Sequence, residues 1–407
     1  LSTEFKPDRV PDSPSAIHGL EDSHIPARLH VLTLTPFYPF KGNESHGCYV
    51  AEPLREIRER GVAISVFAVE PIYRGRRRAS EIFPAEWIQF PQIPGTIGMS
   101  SSGKFLSMFL LNRVRQLHRK HPVSLIHAHA ALPCGDTAAF LSRRLGIPFV
   151  VTVHGLDAFN SCLKQGVATG WRREASKKVY RSARKVICVS EKISTTVTGR
   201  MGKDACTAVV YNGANPALFA PGPREAATPT LLVVGNLSPI KGHELVLRAL
   251  ARLNDSYPTL QCRIIGEGGE EQNLLALSRN LKIADRVHFL GRRSRQEVAA
   301  AMRECTIFVL PSRYEGLGCV YLEAMSCARP AIGCHGQGID EVIEHGSNGW
   351  LVPARGLDEL TQGLRTLLDS FELRTRIGTR ARQTILDQFT LSHQAETLVN
   401  IYREVLQ

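Results

Sequence analysis

The sequence predicts an α/β protein made of two parallel-sheet units, and three observations carry that expectation. Its 407 residues exceed what one hydrophobic core ordinarily serves, so two units of about 180 to 200 residues are expected. From Arg28 onward, short apolar runs alternate with longer amphipathic ones, the pattern of successive βαβ units. Near the middle, Asn212-Gly-Ala-Asn-Pro-Ala-Leu-Phe-Ala-Pro-Gly-Pro223 interrupts all periodicity and marks an interdomain hinge. A flexible segment over 1–27, a first unit over 28–213 and a second from 214 are the expected divisions.

The first unit opens with a strand over 29–34, followed by Thr35-Pro-Phe-Tyr-Pro-Phe and a loop containing His46-Gly47. A glycine loop at the carboxyl end of a first strand lies where open α/β sheets place ligands, which makes Gly47 a candidate contact. A helix from about Tyr49 to Gly61, a strand over 62–69 and a solvated loop Arg74-Gly-Arg-Arg-Arg78 follow. The next helix, 102–121, carries Phe105, Leu106, Met108, Phe109, Leu110, Val114 and Leu117 beside Lys104, Arg113, Arg115, Arg119 and Lys120, with no acid. That composition suits either a core helix or one lying in a membrane interface. Strands 123–129 and 149–153 run into His129 and His154. A histidine at a strand end commonly satisfies backbone or carboxylate groups; His154 differs because Gly155 follows it and permits close approach. A helix over 171–183 and strands over 185–190 and 207–211 complete this unit.

In the second unit, strand 230–234 leads to Gly235-Asn236 and then Lys241-Gly242 at a helix start. A lysine beside a glycine at a helix N-terminus suits a phosphate, although most lysines simply face water. Gly266-Glu-Gly268-Gly-Glu-Glu271 imitates a dinucleotide fingerprint, but Glu271 occupies the third glycine's place and argues against a dehydrogenase. A strand over 287–290 ends in Gly291-Arg-Arg. Strand 306–310 then leads through Glu315-Gly316-Leu317-Gly318 into a helix that Arg329-Pro330 stops, and a further helix is expected at Asp340. The two glycines let backbone approach a ligand, and the helix's first amides favour an anion. Glu315 lies in the turn and Glu323 about one and a half turns into the helix, so the pair can address different parts of one long ligand. Singly, they would suit a capping acid and a solvated helix residue.

Together, Glu315, seven residues, Glu323, with Gly-Leu-Gly inside and Ala-Met after, resemble the signature of family 4 of the retaining glycosyltransferases. The resemblance spans about 28–405. It implies the GT-B architecture, two Rossmann-like domains facing across a cleft, with the donor domain over 214–388 and the last helix, 389–407, returning to the first domain. It implies that Glu323 binds the ribose of a nucleotide-sugar and that Glu315 lies beside the donor sugar. In the family's His-Gly-x-Asp, here His154 to Asp157, the histidine donates to the sugar hydroxyl at C6; His129 and Asp157 remain structural or acceptor-side. Lys241 would grip the diphosphate and Gly291 would lie near the base. The family has Arg where this chain has Asn236, and Gly-Gly where it has His46-Gly47. Lys241 is therefore expected to act with backbone amides, or with a cation from the first unit.

Residues 1–215 hold all of the net charge of +12, since 216–407 balance to zero. Within 91–203 the only acids are Asp136, Asp157, Glu174 and Glu191. Such a face attracts polyanions or an anionic membrane, or is simply solvated. Aromatic residues do not interleave with the Arg clusters, which argues against nucleic acid. The 10 cysteines are scattered, as buried reduced thiols of a cytoplasmic protein would be. No apolar stretch is long enough to span a bilayer, and 1–27 has no apolar core of a signal peptide.

The expected activity is a retaining, hexosyltransferase-type transfer from a nucleoside diphosphate sugar, UDP-sugar favoured, to a glycan or lipid-linked acceptor. No Asp-x-Asp occurs, so metal independence and no cofactor are expected. His-Gly-aromatic after the first strand is similar to transferases that build cell-surface polysaccharides of the teichuronic-acid type on lipid carriers, which places the protein in the cytoplasm or peripherally on the membrane's inner face. The alternatives are a nucleotide-sugar epimerase on the same fold and a non-catalytic sugar-nucleotide binding protein.

Overall fold

All described strands pair in parallel, as apolar runs separated by amphipathic helices should. The computed structural model describes residues 29–75, 82–93, 95–155, 167–202, 205–222 and 228–407. The segment 1–27, Arg76 to Arg78 of the basic loop, and Asp157 lie outside them.

The first domain runs β1 (His30–Thr35), α1 (Cys48–Glu59), β2 (Ala63–Pro71), β3 (Glu86–Phe90), α2 (Gly95–Lys120), β4 (Leu125–His129), α3 (Asp136–Leu145), β5 (Phe149–Val153), α4 (Val167–Ser182), β6 (Lys185–Cys188), α5 (Glu191–Met201) and β7 (Thr207–Val209). The second runs β8 (Thr230–Val234), α6 (His243–Arg252), β9 (Gln261–Ile265), α7 (Glu271–Asn280), β10 (Val287–Phe289), α8 (Arg295–Glu304), β11 (Ile307–Val309), α9 (Cys319–Ser326), β12 (Ala331–Cys334), β13 (Trp350–Val352), α10 (Leu357–Asp369) and α11 (Phe371–Gln388), before α12 (Leu391–Leu406). The sheet orders are β3-β2-β1-β4-β5-β6-β7 and β10-β9-β8-β11-β12-β13. These are two doubly wound Rossmann-like sheets, the GT-B α/β fold. Each order reverses beside its first strand, so the crevices open at the carboxyl ends of β1 and β4 and of β8 and β11.

Both faces of the first sheet are covered. On one, Leu106, Leu110 and Val114 of α2 are fully buried; at about 2 kcal/mol for each buried aliphatic side chain, they anchor the helix. The same helix leaves Phe105, Met108 and Phe109 exposed on its other side, so it is a core helix with part of its apolar surface uncovered. On the other face α12 packs against α1, burying Ala395, Leu398, Val399 and Tyr402. Two chain crossings lie side by side there: Ala214 N–H donates to the Phe389 carbonyl at 2.8 Å, and Leu391 N–H to the Ala214 carbonyl at 3.0 Å.

Some expectations need correction. The helix expected at Asp340 is a single 3-10 turn, Gly338–Glu341. Strand β3 was not anticipated, because five residues following a basic loop show no clear alternation. Cys206 is exposed, unlike the buried thiols expected of all the cysteines. No helix among the described residues is long and apolar enough to cross a membrane.

Candidate functional site

The carboxyl ends of β5 and β11 face one another across the interdomain cleft. Tyr314 of the second domain donates its hydroxyl to the Gly155 carbonyl at 2.9 Å, and Ser190 of the first donates to the Gly316 carbonyl at 2.7 Å. A Cβ at Gly316 would strike the His154 carbonyl oxygen, so glycine is required for the loops to meet. Gly47 is required for a related reason. It stands at φ +71° before α1, against the backbone of Phe37, where any side chain would collide. Its role in the structure is to close the turn after β1.

Lys241 ends a 3-10 turn before α6, and its Nζ lies 2.6 Å from Glu315 Oε2. Both side chains are mostly buried, at 18% and 13% exposure, so the pair is substantially shielded from solvent. Glu315 N–H donates to Gln337 Oε1 at 3.1 Å. Gly316 and Leu317 are buried behind it, and Gly318 leads into α9. Asn236 is exposed at the end of β8, and Gly291, at φ +65°, closes the turn after β10. From the first domain, Lys192 reaches Gln337 and lies 5.1 Å above the Tyr314 ring. Burial lowers its pKa, against the raising effect of Glu315 and Glu341.

Glu323 is 2% exposed, which overturns the reading of a solvated helix acid. Its Oε1 accepts from Arg295 Nη1 at 2.6 Å. Arg295 also donates through Nε and Nη2 to Glu52 of α1, at 2.9 and 3.1 Å. Burial works against the guanidinium's charge, but Glu323 and Glu52 hold its pKa well above the ordinary value.

His154 belongs to a stack of three histidines. His129 Nδ1 and His154 Nε2 are 3.0 Å apart, and the His129 ring stacks on both His154 and His127. His127 bonds the Tyr402 hydroxyl of α12 and the Thr152 hydroxyl, each at 2.7 Å. Burial pushes His127 and His154 down to about 3 and His129 well below its ordinary value, so all three are neutral at neutral pH. Neutral imidazoles serve as hydrogen-bonding groups here, each with one donor and one acceptor. A cavity of about 20 Å³ beneath them, lined by Asn212, Gln394 and Tyr402 among others, is large enough for one water. Among the described residues no group of three or more His, Cys, Asp or Glu is placed to hold a metal ion.

The structure therefore brings Lys241, Glu315, Gly316 to Gly318 and His154 to one place, with Glu323 buried nearby at Arg295. Sequence reasoning missed Glu52, Ser190, Arg295, Tyr314, Gln337 and Glu341. A signal existed for Arg295: it opens a helix bearing a Ser294–Glu297 capping box, where a cation opposes the helix dipole and needs compensating carboxylates.

Two family models divide the chain between them. The model described as Glycosyltransferase Family 4 matches residues 47–218, and that described as Glycosyl transferases group 1 matches 216–384. An uncharacterized glycosyltransferase of Methanocaldococcus jannaschii is 31% identical over 263 residues, 64% of this chain and 70% of that protein. Among solved structures, sucrose-phosphate synthase from Thermosynechococcus elongatus superposes with a TM-score of 0.77 at 20% identity, covering 93% of this chain and 99% of that one. Anabaena HepE, solved in complex with UDP-glucose, superposes at 0.73 and 20% identity, covering 93% and 100%. With matched sequence in both halves and two facing Rossmann-like sheets, the chain belongs to the glycosyltransferases, as a GT-B protein with a family 4 first domain and a group 1 second domain.

Proposed function

We propose that the protein transfers a hexosyl group, with retention, from a nucleoside diphosphate sugar to a glycan or lipid-linked acceptor. The observation that supports this best is the Lys241–Glu315 pair, 2.6 Å apart beside the Gly316–Gly318 loop at the cleft. A diphosphate entering there exchanges Glu315 for its own oxygens on Lys241, and Glu315 is released toward the sugar. UDP is the favoured carrier, since HepE, a structural neighbour, was solved with UDP-glucose.

The chemistry needs leaving-group stabilisation. As the bond from the anomeric carbon to the diphosphate oxygen breaks, its electron pair moves onto the diphosphate, where the Lys241 ammonium and the first amides of α9 stabilise the charge. The acceptor hydroxyl attacks from the same face, and its proton passes to the departing phosphate oxygen. His154, neutral and backed by His129, orients the sugar through a hydrogen bond.

Lys241→Ala tests the reading: turnover falls about 10²- to 10³-fold while circular dichroism stays that of the wild type. A folded, fully active variant removes the phosphate role. Product anomeric configuration, followed by NMR, reports retention, and an inverted product overturns it. Isomerisation of donor in the absence of any acceptor would favour the epimerase instead.

A peripheral membrane contact is supported by one surface. Phe105, Met108 and Phe109 of α2 are exposed, Phe105 lines a groove of about 510 Å³ together with Ile72, Tyr73 and Ile93, and Arg74, Lys104 and Arg119 are exposed on the same elements. An apolar strip flanked by cations suits the interface of an anionic bilayer. Flotation with phosphatidylglycerol vesicles at low salt recovers the wild type and loses Met108→Asp; an unbound wild type retires the contact.

A further inference from the structure

Arg295 holds carboxylates from both domains at once. Its Nε and Nη2 grip Glu52 of α1 at 2.9 and 3.1 Å, its Nη1 holds Glu323 Oε1 at 2.6 Å, and its guanidinium lies 4.8 Å above Phe219, a fully buried residue of the interdomain linker. The three side chains are 7%, 12% and 3% exposed. Among the described residues none donates a hydrogen bond to Glu323 Oε2, although it too is buried. A buried carboxylate oxygen without a donor is costly, and a ligand hydroxyl would satisfy it.

We infer that Arg295 is a positioning residue that presents Glu323 Oε2 to the ribose hydroxyls of the donor, and that Glu52 makes this presentation depend on domain closure. The inference rests on the nucleoside diphosphate reading above. With Glu52 in place, one edge of the guanidinium, Nε with Nη2, is occupied from the first domain, and Nη1 holds Glu323. The Arg–Glu323 contact then stays single, and Oε2 is left as an acceptor. When the domains part, Glu52 leaves with α1. Arg295 then turns its free edge to Glu323 and takes both oxygens, because the bidentate fork is the preferred arrangement for one guanidinium and one carboxylate. Oε2 is withdrawn from the ribose and donor affinity falls. By reciprocity, donor binding favours the closed arrangement.

The test is calorimetric. UDP, GDP and ADP are titrated into the full chain, and the tightest binder is compared with its 2′- and 3′-deoxy counterparts. One lost hydroxyl–carboxylate bond weakens wild-type binding about 10- to 100-fold. In Arg295→Met and in Glu52→Gln the deoxy penalty shrinks below about threefold, although Glu52 belongs to the other domain. Lys241→Ala weakens both forms alike and keeps the penalty. Should Arg295→Met fail to fold, Glu52→Gln carries the comparison. A full penalty in Glu52→Gln, or none in the wild type, overturns the inference and leaves the donor reading standing. A wild type that binds none of the three diphosphates, or a Lys241→Ala variant that binds as tightly as the wild type, overturns the donor reading itself.

Discussion

Glu341 caps a helix that belongs to the other domain, and replacing it with glutamine should open the cleft. Its Oε1 accepts from Lys192 N–H at 2.7 Å, and its Oε2 accepts from Glu191 N–H at 2.7 Å and the Tyr211 hydroxyl at 3.0 Å. Glu191 and Lys192 are the first two residues of α5, whose amides have no partner inside the helix. In Glu341→Gln one oxygen becomes an NH2 that faces a donor, which removes a charge-assisted bond of about 1.5–3 kcal/mol. The lost attraction between the carboxylate and the helix dipole adds about 0.3–1 kcal/mol. A total near 3 kcal/mol shifts the open–closed equilibrium about 150-fold. Single-molecule energy transfer between dyes at Arg143 and Arg279, both exposed, reports the domain separation; unnatural amino acids should carry the dyes, because Cys206 is also exposed. A distance distribution and kcat/KM unchanged from the wild type would refute the latch.

Three further outcomes are expected. Gly316→Ala keeps both domains folded but cannot bring its loop against the His154 carbonyl, so kcat/KM falls at least about 100-fold with little change in circular dichroism; near-normal activity would show that this contact is not needed for turnover. His127 has its pKa lowered from 6.5 to about 3, so the unfolded chain takes up a proton below pH 6.5 while the folded chain does not. The stability this gives is present above pH 6.5 and drains away at about 1.4 kcal/mol per unit as pH falls toward 3. Urea unfolding of wild type and His127→Gln should therefore show their stability gap narrowing by about 2 kcal/mol between pH 7 and 5, and a constant gap refutes the shift. Chelator treatment followed by dialysis should leave turnover unchanged, whereas a loss that magnesium restores contradicts metal independence.

The second domain was the more legible half. Gly235, Lys241-Gly242 and Glu315-Gly-Leu-Gly each sit between a short apolar strand and a helix, and local spacing alone places them at the ends of β8 and β11. The interdomain partners were not legible, because their meaning depends on contacts far apart in sequence. Glu52 lies 243 positions from Arg295, and in isolation it resembles any acid on an amphipathic helix. Glu341 was hidden by a different effect: a run that scans as a helix start is held to one turn, so its side chain turns toward the opposite domain. His129 looked structural and proved to be the direct hydrogen-bonding neighbour of His154, a relation set by the pairing of β4 with β5.

The position of α12 has a bearing on how the chain matures on the ribosome. The cover over the hydrophobic face of β1, β4 and β5, and the phenol that fixes His127, come from residues 391–406, which follow the whole second domain in the chain. The usual order, in which the N-terminal domain finishes first, is thus closed to this protein. The second domain precedes α12 in the chain and can reach its native state first, while the half that carries His154 waits with one sheet surface bare.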